Sequence, residues 1–315
     1  MPLVSSSYRA PAFLRGGHLQ TIYPALFRRV RKVTHRRERL ELPDGDFLDL
    51  DWASEGRDRL VILSHGLEAD SSAPYIQGMA AALRGRGWDV LAWNYRGCSG
   101  ESNRLLPFYH SGASHDLHQV VSHALAVHPA ARIDLVGFSL GGNMTLKYLG
   151  ERSVPDRVHR AVAFSVPCDL ASSSVRLASR ANRIYMDRFL RSLREKLVEK
   201  QPRFPEEIDL SGISRIRNFK QFDDRFTAPL HGFRDAEDYW ERASSRPFLG
   251  RIQVPALLVN AANDPFLGTG CFPREEAEES DFFHLEVPED GGHVGFLSAD
   301  RDYWSEYRAL EFLGA

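Results

Sequence analysis

The sequence carries little excess charge of either sign and few cysteines. Its 40 lysines and arginines are balanced by 42 aspartates and glutamates, which gives a formal net charge of −2. This balance lacks the basic excess of nucleic-acid-binding domains, so we expect no nucleic-acid partner. The three cysteines are too few and too widely separated for a disulfide framework or a zinc site. Reduced thiols are typical of a cytoplasmic protein, which is the compartment that the composition predicts.

Long apolar runs are absent as well. No run approaches the roughly 18 residues that a membrane-spanning helix needs. The opening segment, MPLVSSSYRAPAFLRGG, lacks the apolar stretch of a signal peptide. We therefore expect no membrane span, while peripheral contact with a membrane stays open. With 43% hydrophobic residues in a chain of 315, there is ample material for a large core.

Short apolar runs alternate with helical patterns along most of the chain. Residues 33–42 and 46–53 predict a strand hairpin that opens the sheet. Four β-branched or aromatic runs then predict buried parallel strands, with helices between them. The strands are expected at 59–64, 88–93, 132–136 and 160–166, and the helices at 74–84, 114–128 and 141–150. Two last strands, at 254–261 and 282–287, and a helix at 301–313 complete a mostly parallel, eight-stranded α/β sheet with helices on both faces.

The alternation stops between residues 169 and 246. This segment is mainly amphipathic helix, most clearly over residues 183–200. Since the sheet resumes afterwards, we expect a helical lid (169–246) inserted after the sixth strand, within one domain spanning residues 1–315. Residues 171–200 hold eight basic and three acidic side chains, a local excess of 8 − 3 = +5. That excess predicts either a solvated helix face or a surface for peripheral contact with anionic membranes.

The most informative motif is GFSLG, at residues 137–141, between a predicted strand and a predicted helix. In that context G-x-S-x-G is typical of a sharp turn that holds a nucleophilic serine clear of the sheet. The turn brings backbones close together, so side chains two residues before or after the serine would collide. Ser139 is therefore the predicted nucleophile. The alternative is a glycine-rich turn without a catalytic role.

A serine hydroxyl needs a positioned base before it becomes a good nucleophile. His293 follows two glycines in the loop after the last predicted strand, at the sheet edge expected for Ser139. We predict that it is the base, with an ordinary surface-loop histidine as the alternative. Five other histidines occur between residues 110 and 128. The helical ones scatter around the axis and share no face, so no metal site is predicted there.

The third group should be a carboxylate after the seventh strand, in the chain order Ser, Asp, His. Asp264 fits that position and would accept the Nδ1–H of His293, which fixes the tautomer of the ring. A turn aspartate before a proline is the alternative interpretation. Asp169 is the substitute candidate for the acid. Asp290 and Glu289 lie too near His293 in the sequence to be preferred.

The charge on a tetrahedral intermediate requires two backbone donors. We expect the N–H of Leu140, directly after the nucleophile, and the N–H of Leu67, in the loop after the third strand. His65 in the same loop forms an H-x4-D pattern with Asp70, which also occurs in some acyltransferases. Its position after a strand explains it better, so we expect His65 to tie the loop down by hydrogen bonds.

Together these motifs resemble the YheT-like branch of the α/β-hydrolase superfamily over nearly the whole chain. They are GGHLQTI at 16–22 with Pro24, HGLE at 65–68, NYRGCSGE at 94–101, YHSG at 109–112, GFSLGG at 137–142, NDP at 263–265 and GGHVGF at 291–296. The resemblance implies carboxylesterase activity, extending to lipid acyl esters, without a cofactor. It also implies a triad of Ser139, Asp264 and His293. Ala69 departs from the pattern, which has glycine after Glu68.

The sequence thus predicts a serine-dependent carboxylic ester hydrolase that acts on a small-molecule or lipid ester through an acyl-enzyme, without metal or cofactor. A thioesterase or peptidase using the same triad is one alternative, and a catalytically silent binding protein is another. No chemical role follows for the segments 16–22 and 94–101. Close packing of these glycine-rich segments against the site is expected.

Overall fold

A mostly parallel sheet runs through the centre of the protein. In the computed structural model, which describes residues 2–30, 32–299 and 303–314, nine strands form this sheet. The strands are β1 (Leu3–Val4), β2 (Arg36–Glu41), β3 (Phe47–Ala53), β4 (Arg59–Ser64), β5 (Asp89–Asn94), β6 (Arg132–Phe138), β7 (Val158–Phe164), β8 (Ala256–Val259) and β9 (Phe283–Glu286). The helices in these residues are α1 (Gly17–Phe27), α2 (Pro74–Gly85), α3 (Ser114–Val127), α4 (Leu140–Glu151), α5 (Leu170–Leu177), α6 (Arg183–Lys200), α7 (Phe219–Phe222), α8 (Ala228–Leu230), α9 (Ala236–Ala243), α10 (Arg274–Glu278) and α11 (Trp304–Leu313).

The strand order across the sheet is β1-β9-β8-β7-β6-β4-β5-β3-β2. Strand β3 is antiparallel to both β2 and β5, and the other neighbours are parallel. In register, Leu63 of β4 lies opposite Val136 of β6, which lies opposite Val162 of β7. Apolar side chains therefore line up across the parallel strands.

Both faces of the central strands are buried, which explains why their sequences are apolar without alternation. In β4, Leu60 and Ile62 pack into one apolar cluster, while Val61 and Leu63 pack into the other. Helices α3 and α4 cover the first face, and α2 and α11 cover the second. Burial of each such side chain contributes roughly 1.5–3 kcal/mol.

The predicted hairpin, the buried parallel strands and the helices on both faces are confirmed. The sheet has nine strands rather than the predicted eight, because residues 3–4 pair with Leu285 and Glu286 at its edge. A strand of two residues has no alternation that a sequence pattern could reveal. The predicted helix at 301–313 begins at Trp304 in the structure, and its predicted start at 301–302 lies outside the described residues.

The segment between β7 and β8 consists of helices and turns and forms an apolar cluster of its own. Leu177, Met186, Leu190 and Phe226 are among its buried members. Phe266, from the loop after β8, packs into the same cluster. The helical segment is thereby attached to the edge of the sheet at which the parallel strands end.

Five loops meet at this edge, because parallel strands of one sheet end on the same side. Leu67 follows β4, Ser139 follows β6, Ser165 follows β7, Asp264 follows β8 and His293 follows β9. The topology thus gathers side chains that lie up to 226 residues apart in the sequence (293 − 67 = 226).

Candidate active site

Ser139 lies in a strained turn between β6 and α4. Its φ of 52° and ψ of −121° fall in a region that residues other than glycine rarely adopt. The Ser139 N–H donates to the carbonyl of Phe164 on β7 at 2.8 Å, and the Asn143 N–H donates to the carbonyl of Ser139 at 3.0 Å. The neighbouring strand and the following helix therefore both hold the turn in place.

Close backbone contacts explain the glycines on either side of Ser139. A Cβ atom on Gly137 would lie 2.6 Å from the carbonyl oxygen of Gly141. One on Gly141 would overlap the carbonyl oxygen of His65 in the neighbouring loop. Since the obstructing atoms belong to backbone, they cannot rotate aside as the end of a side chain could. The steric explanation predicted for the motif is confirmed.

His293 lies between Ser139 and Asp264. Its Nε2 is 3.0 Å from the Ser139 Oγ, and its Nδ1 is 2.9 Å from Asp264 Oδ2 and 3.2 Å from Oδ1. Asp264 is buried, and its Oδ1 also accepts the N–H of Phe266 at 2.9 Å. A carboxylate only accepts hydrogen bonds, so Nδ1 carries the proton and the lone pair of Nε2 faces the serine hydroxyl. This series of hydrogen bonds has the geometry that catalysis by a nucleophile, a base and an orienting acid requires, with Ser139, His293 and Asp264 in those three positions.

Helix α1 braces the loop that carries His293. The Thr21 hydroxyl accepts the N–H of His293 at 2.9 Å, and the Gln20 side-chain oxygen accepts the N–H of Gly291. The close packing predicted for the segment 16–22 is confirmed. The sequence predicted no role for Gln20 and Thr21. Both belong to the motif at 16–22, which carries the family resemblance, but no local pattern indicates their contact with the His293 loop.

Backbone strain is concentrated around the site. In the described ranges, five residues other than glycine have positive φ: Glu68, Ser139, Ser165, Val294 and Phe296. All five are in the loops at the carboxyl edge of the sheet. The strained Val294 is held by its N–H, which donates to the Ser165 hydroxyl at 2.8 Å. Strain of this kind persists only where the surroundings fix the backbone, and it is common at functional sites.

The two predicted oxyanion donors belong to the segments that follow β4 and β6. Leu140 is the first residue of α4, so its N–H is among those that a helix leaves without an acceptor of its own. Leu67 lies in a turn that the Ala69 N–H closes by donating to the Gly66 carbonyl at 3.3 Å. Both leucines line the cavity that contains Ser139. Alanine at position 69 is therefore compatible with a closed turn.

His65 lies below this loop and is fully buried. Its Nδ1 is 2.8 Å from the Gly66 carbonyl, its Nε2 accepts the Tyr95 N–H at 3.4 Å, and its ring stacks on that of Tyr95. Burial lowers the pKa of His65 to about 4, so the ring is neutral. With both nitrogens bonded to backbone, His65 ties the loop down as predicted and has no free nitrogen for acyl transfer.

Glu68 joins the Leu67 turn to helix α6. Its carboxylate accepts hydrogen bonds from Lys196 Nζ at 2.9 Å and from the Tyr109 hydroxyl at 2.6 Å. The Glu68 N–H donates to the same hydroxyl at 2.9 Å. Burial works against the charge of Lys196, but the Cys98 sulfur and the Glu68 carboxylate outweigh it and raise the pKa. A partly buried ion pair therefore connects the helical segment to the strained turn. Nothing in the sequence pattern indicated it.

A cavity of about 120 Å³ opens at Ser139 and His293. The helical segment supplies much of its wall, which is mainly apolar and aromatic. The wall residues from this segment are Leu170, Ser173, Ser174, Leu177, Phe189, Leu193, Phe219, Asp223, Thr227, Tyr239 and Trp240. The arrangement places a mainly apolar cavity at the Ser139 side chain.

The other candidate residues lie elsewhere. The carboxylate of Asp169 accepts the Ser172 N–H at 3.1 Å and caps α5. Asp290 accepts a hydrogen bond from the Asn263 side chain at 2.6 Å, and Glu289 is exposed. Among the residues that the structure describes, no three histidine, cysteine or acidic side chains are arranged to hold a metal ion.

Comparison with known proteins agrees with the sheet and its loops. Residues 59–300 match the family with the α/β-hydrolase fold. The chain belongs to this family. Its YheT-like character is shown by YheT of Escherichia coli (strain K12), which is 36% identical over 94% of this chain and 89% of that protein. The phospholipase ABHD3 of Mus musculus is 28% identical over 94% of this chain and 74% of its own length.

Solved structures show the same fold. The Pyrococcus furiosus esterase Pf2001 matches with a TM-score of 0.61 and 19% identity, over 89% of this α/β-hydrolase and 90% of the esterase chain. A likeness at this level of identity concerns the fold alone. Within the described parts of this α/β-hydrolase, no helix has the length and apolar character needed to cross a bilayer.

The partly buried ion pair of Glu68 and Lys196 gives a stability prediction for this α/β-hydrolase. Lys196→Met would leave the Glu68 carboxylate, whose side chain is 6% exposed, without its cation. We expect the free energy of unfolding to fall by about 1–3 kcal/mol, which is less than for a fully buried pair because the Lys196 side chain is 19% exposed. Urea unfolding followed by circular dichroism measures the change.

Two control variants separate the effect of an unpaired Glu68 charge from the effect of losing a basic side chain on this helix. Lys196→Met combined with Glu68→Gln removes both charges and should recover most of the loss. Arg191→Met, at an exposed position of the same helix, should change stability by less than about 0.5 kcal/mol. A double variant as unstable as the single one would contradict the explanation by an unpaired charge.

Proposed function

We propose that the protein is a serine-dependent carboxylic ester hydrolase. The observation that carries the proposal is the hydrogen-bonded series from Ser139 through His293 to Asp264, at the mouth of an apolar cavity. Membership of the α/β-hydrolase family supports it, since these groups lie on the strand ends at which this fold keeps its reacting residues. A relative named phospholipase supports lipid esters as well as small esters as substrates.

In the proposed reaction, His293 Nε2 takes the hydroxyl proton of Ser139 while its Oγ attacks the ester carbonyl carbon. Asp264 stabilises the resulting imidazolium, and the N–H groups of Leu67 and Leu140 donate to the oxyanion. Collapse of the intermediate expels the alcohol, which takes the proton from His293 and leaves an acyl group on Ser139. Water then attacks the acyl-enzyme with the same assistance, and the carboxylic acid leaves.

The helical segment acts as the lid of this reaction site. Leu170, Leu177, Phe189 and Leu193 present apolar surface to the cavity over Ser139, which favours an acyl chain. The cavity volume of about 120 Å³ favours short to medium chains over long ones. A thioester would use the same groups, so acyl-CoA thioesters belong in any substrate panel.

The first test removes the nucleophile. Ser139→Ala should lower kcat on p-nitrophenyl esters by on the order of 10⁴-fold or more, since attack by Oγ becomes impossible. Wild type and variant are assayed on p-nitrophenyl esters, acyl-CoAs and lysophospholipids, and circular dichroism checks that both fold alike. If the variant keeps more than about a tenth of the wild-type kcat, Ser139 is not the nucleophile.

The second test distinguishes the two candidate acids. Asp264→Asn should lower kcat by on the order of 10⁴-fold, because an amide can donate to Nδ1 and so stabilise the wrong tautomer of His293. Asp169→Asn is the matched control, since its side-chain oxygen can still accept the Ser172 N–H. Comparable losses in the two variants would count against Asp264 as the orienting acid.

We also propose that the protein makes peripheral contact with anionic membranes near the start of α6. Of the eight basic residues in 171–200, five are exposed arginines: Arg176, Arg180, Arg183, Arg188 and Arg191. Lys196 and Lys200 turn inward, so the exposed charge is smaller than the sequence indicated.

Exposed apolar side chains occur on α6, on the neighbouring helix α1 and just before α1. They are Phe13 (64% exposed), Leu26 (68%), Phe27 (62%) and Ile184 (77%). The ring of His18 on α1 stacks on that of Tyr185 on α6, with centroids 5.7 Å apart, so the two helices are neighbours. Apolar side chains flanked by arginine are the chemistry that binds anionic lipid interfaces.

Co-sedimentation with liposomes tests this contact. Binding should be stronger to vesicles with phosphatidylserine than to neutral ones and should weaken as salt is raised. Arg180→Ser with Arg183→Ser should reduce it severalfold, whereas Arg234→Ser with Arg242→Ser, two exposed arginines elsewhere, should not. Equal binding to both kinds of vesicle would rule out the anionic contact.

A further inference from the structure

Asp223 is a buried carboxylate in the wall of the reaction cavity. It is 7% exposed and lines the same cavity as Ser139 and His293. Its Oδ1 accepts the Thr227 hydroxyl at 2.6 Å, and its Oδ2 accepts the Trp240 indole N–H at 2.8 Å. Both donors are neutral, so neither balances the negative charge.

No basic side chain of the described residues forms an ion pair with Asp223. The adjacent Asp224 adds negative charge and is itself paired with Lys220 at 2.6 Å. Burial lowers the pKa of His110 and of His231, so these nearby rings are neutral. Burial raises the pKa of Asp223 to about 7, against the lowering by its two hydrogen bonds. An uncompensated carboxylate is costly to bury, and such groups cluster where proteins bind or react with ligands.

The backbone around Asp223 is unusual as well. Residues 223–227 form a π-helical turn between α7 and α8. Such turns are rare, less stable than regular helix and frequent at functional sites. This one brings the Asp223 carboxylate and the Thr227 hydroxyl together on the cavity wall. The π-helical turn therefore carries the Asp223 carboxylate in the wall of the cavity.

Aromatic rings surround this end of the cavity, among them Phe219, Tyr239 and Trp240. The faces of such rings attract cations, as does a carboxylate. Neither lysine nor arginine is among the described residues that line the cavity, so a ligand cation would meet no repulsion from the wall. An anionic group of a ligand, by contrast, would be repelled by Asp223 and would find no lysine or arginine among the described residues of the cavity wall.

We propose that Asp223 is a specificity residue that binds an ammonium group carried by the ester substrate. The inference rests on the proposed ester hydrolysis and narrows its substrates to esters of amino or quaternary-ammonium compounds. The carboxylate supplies the charge, and the rings of Tyr239 and Trp240 complete an aromatic wall for the cation. Ser139 and His293 react with the carbonyl of the same molecule at the other end of the cavity.

The test compares two esters of one acid that differ only in charge, a choline ester and its neutral isostere, the 3,3-dimethylbutyl ester. For the wild type we expect kcat/KM to be about tenfold or more higher for the choline ester. Asp223→Asn should reduce this ratio at least severalfold, since the amide keeps an acceptor oxygen but carries no charge, and leave only the smaller preference that the rings provide. Asp224→Asn is the matched control and should leave the ratio unchanged. A wild-type ratio near 1, or a high ratio that survives Asp223→Asn, would overturn the proposal.

If the Asp223 variant does not fold, a measurement on the wild type alone still tests the proposed ammonium site. Tetramethylammonium should inhibit hydrolysis of a p-nitrophenyl ester at concentrations at least about tenfold lower than tert-butanol does. Equal inhibition by the two compounds would overturn the proposal. Hydrolysis of the p-nitrophenyl ester also separates the two hypotheses. If that ester is cleaved without any preference for cations, only the ammonium site fails; if no ester of the panel is cleaved, the proposed hydrolase function fails with it.

Discussion

The close backbone contact between the Ser139 turn and the loop after β4 is the constraint on which the rest of the site depends. Gly141 approaches the His65 carbonyl so closely that no side chain fits between them. This contact fixes the distance between α4 and the loop of Leu67, and both Leu67 and Leu140 line the cavity that contains Ser139. Buried His65 maintains the contact from below, because both of its nitrogens are bonded to backbone.

Strain and rigidity are linked at this edge of the sheet. Five residues other than glycine with positive φ, each costing on the order of 1–3 kcal/mol, would not persist in mobile loops. Hydrogen bonds from neighbouring elements hold them, such as the one from the Val294 N–H to Ser165 and the one from the Glu68 N–H to Tyr109. The buried faces of the sheet supply the stability that offsets this cost. The polar groups around Ser139 are therefore fixed before a substrate arrives, which is what electrostatic stabilisation of an oxyanion requires.

The sequence predicted the parts of the molecule that follow from local pattern. Apolar runs located the strands, and the strand ends indicated which loops would meet, so that Ser139, His293 and Asp264 could be selected before any geometry was known. Contacts between distant elements left no such pattern. Thr21 lies 272 residues from His293, and Lys196 lies 128 residues from Glu68 (196 − 68 = 128). The two-residue β1 was missed for the same reason, since its pairing with β9 is its only signal.

The helical segment contains three largely buried ionisable groups, Lys196, Lys200 and Asp223, and of the three only Asp223 lines the cavity at Ser139. Lys196 is paired with a carboxylate, at 2.9 Å from Glu68. Lys200 is fully buried, its pKa is lowered by burial to about 7, and its Nζ is surrounded by neutral oxygens of Asn103, Leu105 and Leu106. Lys200 and Asp223 are thus both bonded to neutral groups only, and of the two only Asp223 lines the cavity that contains Ser139. The carboxylate of Asp223 meets two neutral donors and an opening toward the substrate. Burial raises the pKa of Asp223 to about 7, so the carboxyl group can lose its charge by taking up a proton. A cation that enters the cavity would stabilise the charged form instead, and this is the basis of the proposed ammonium site.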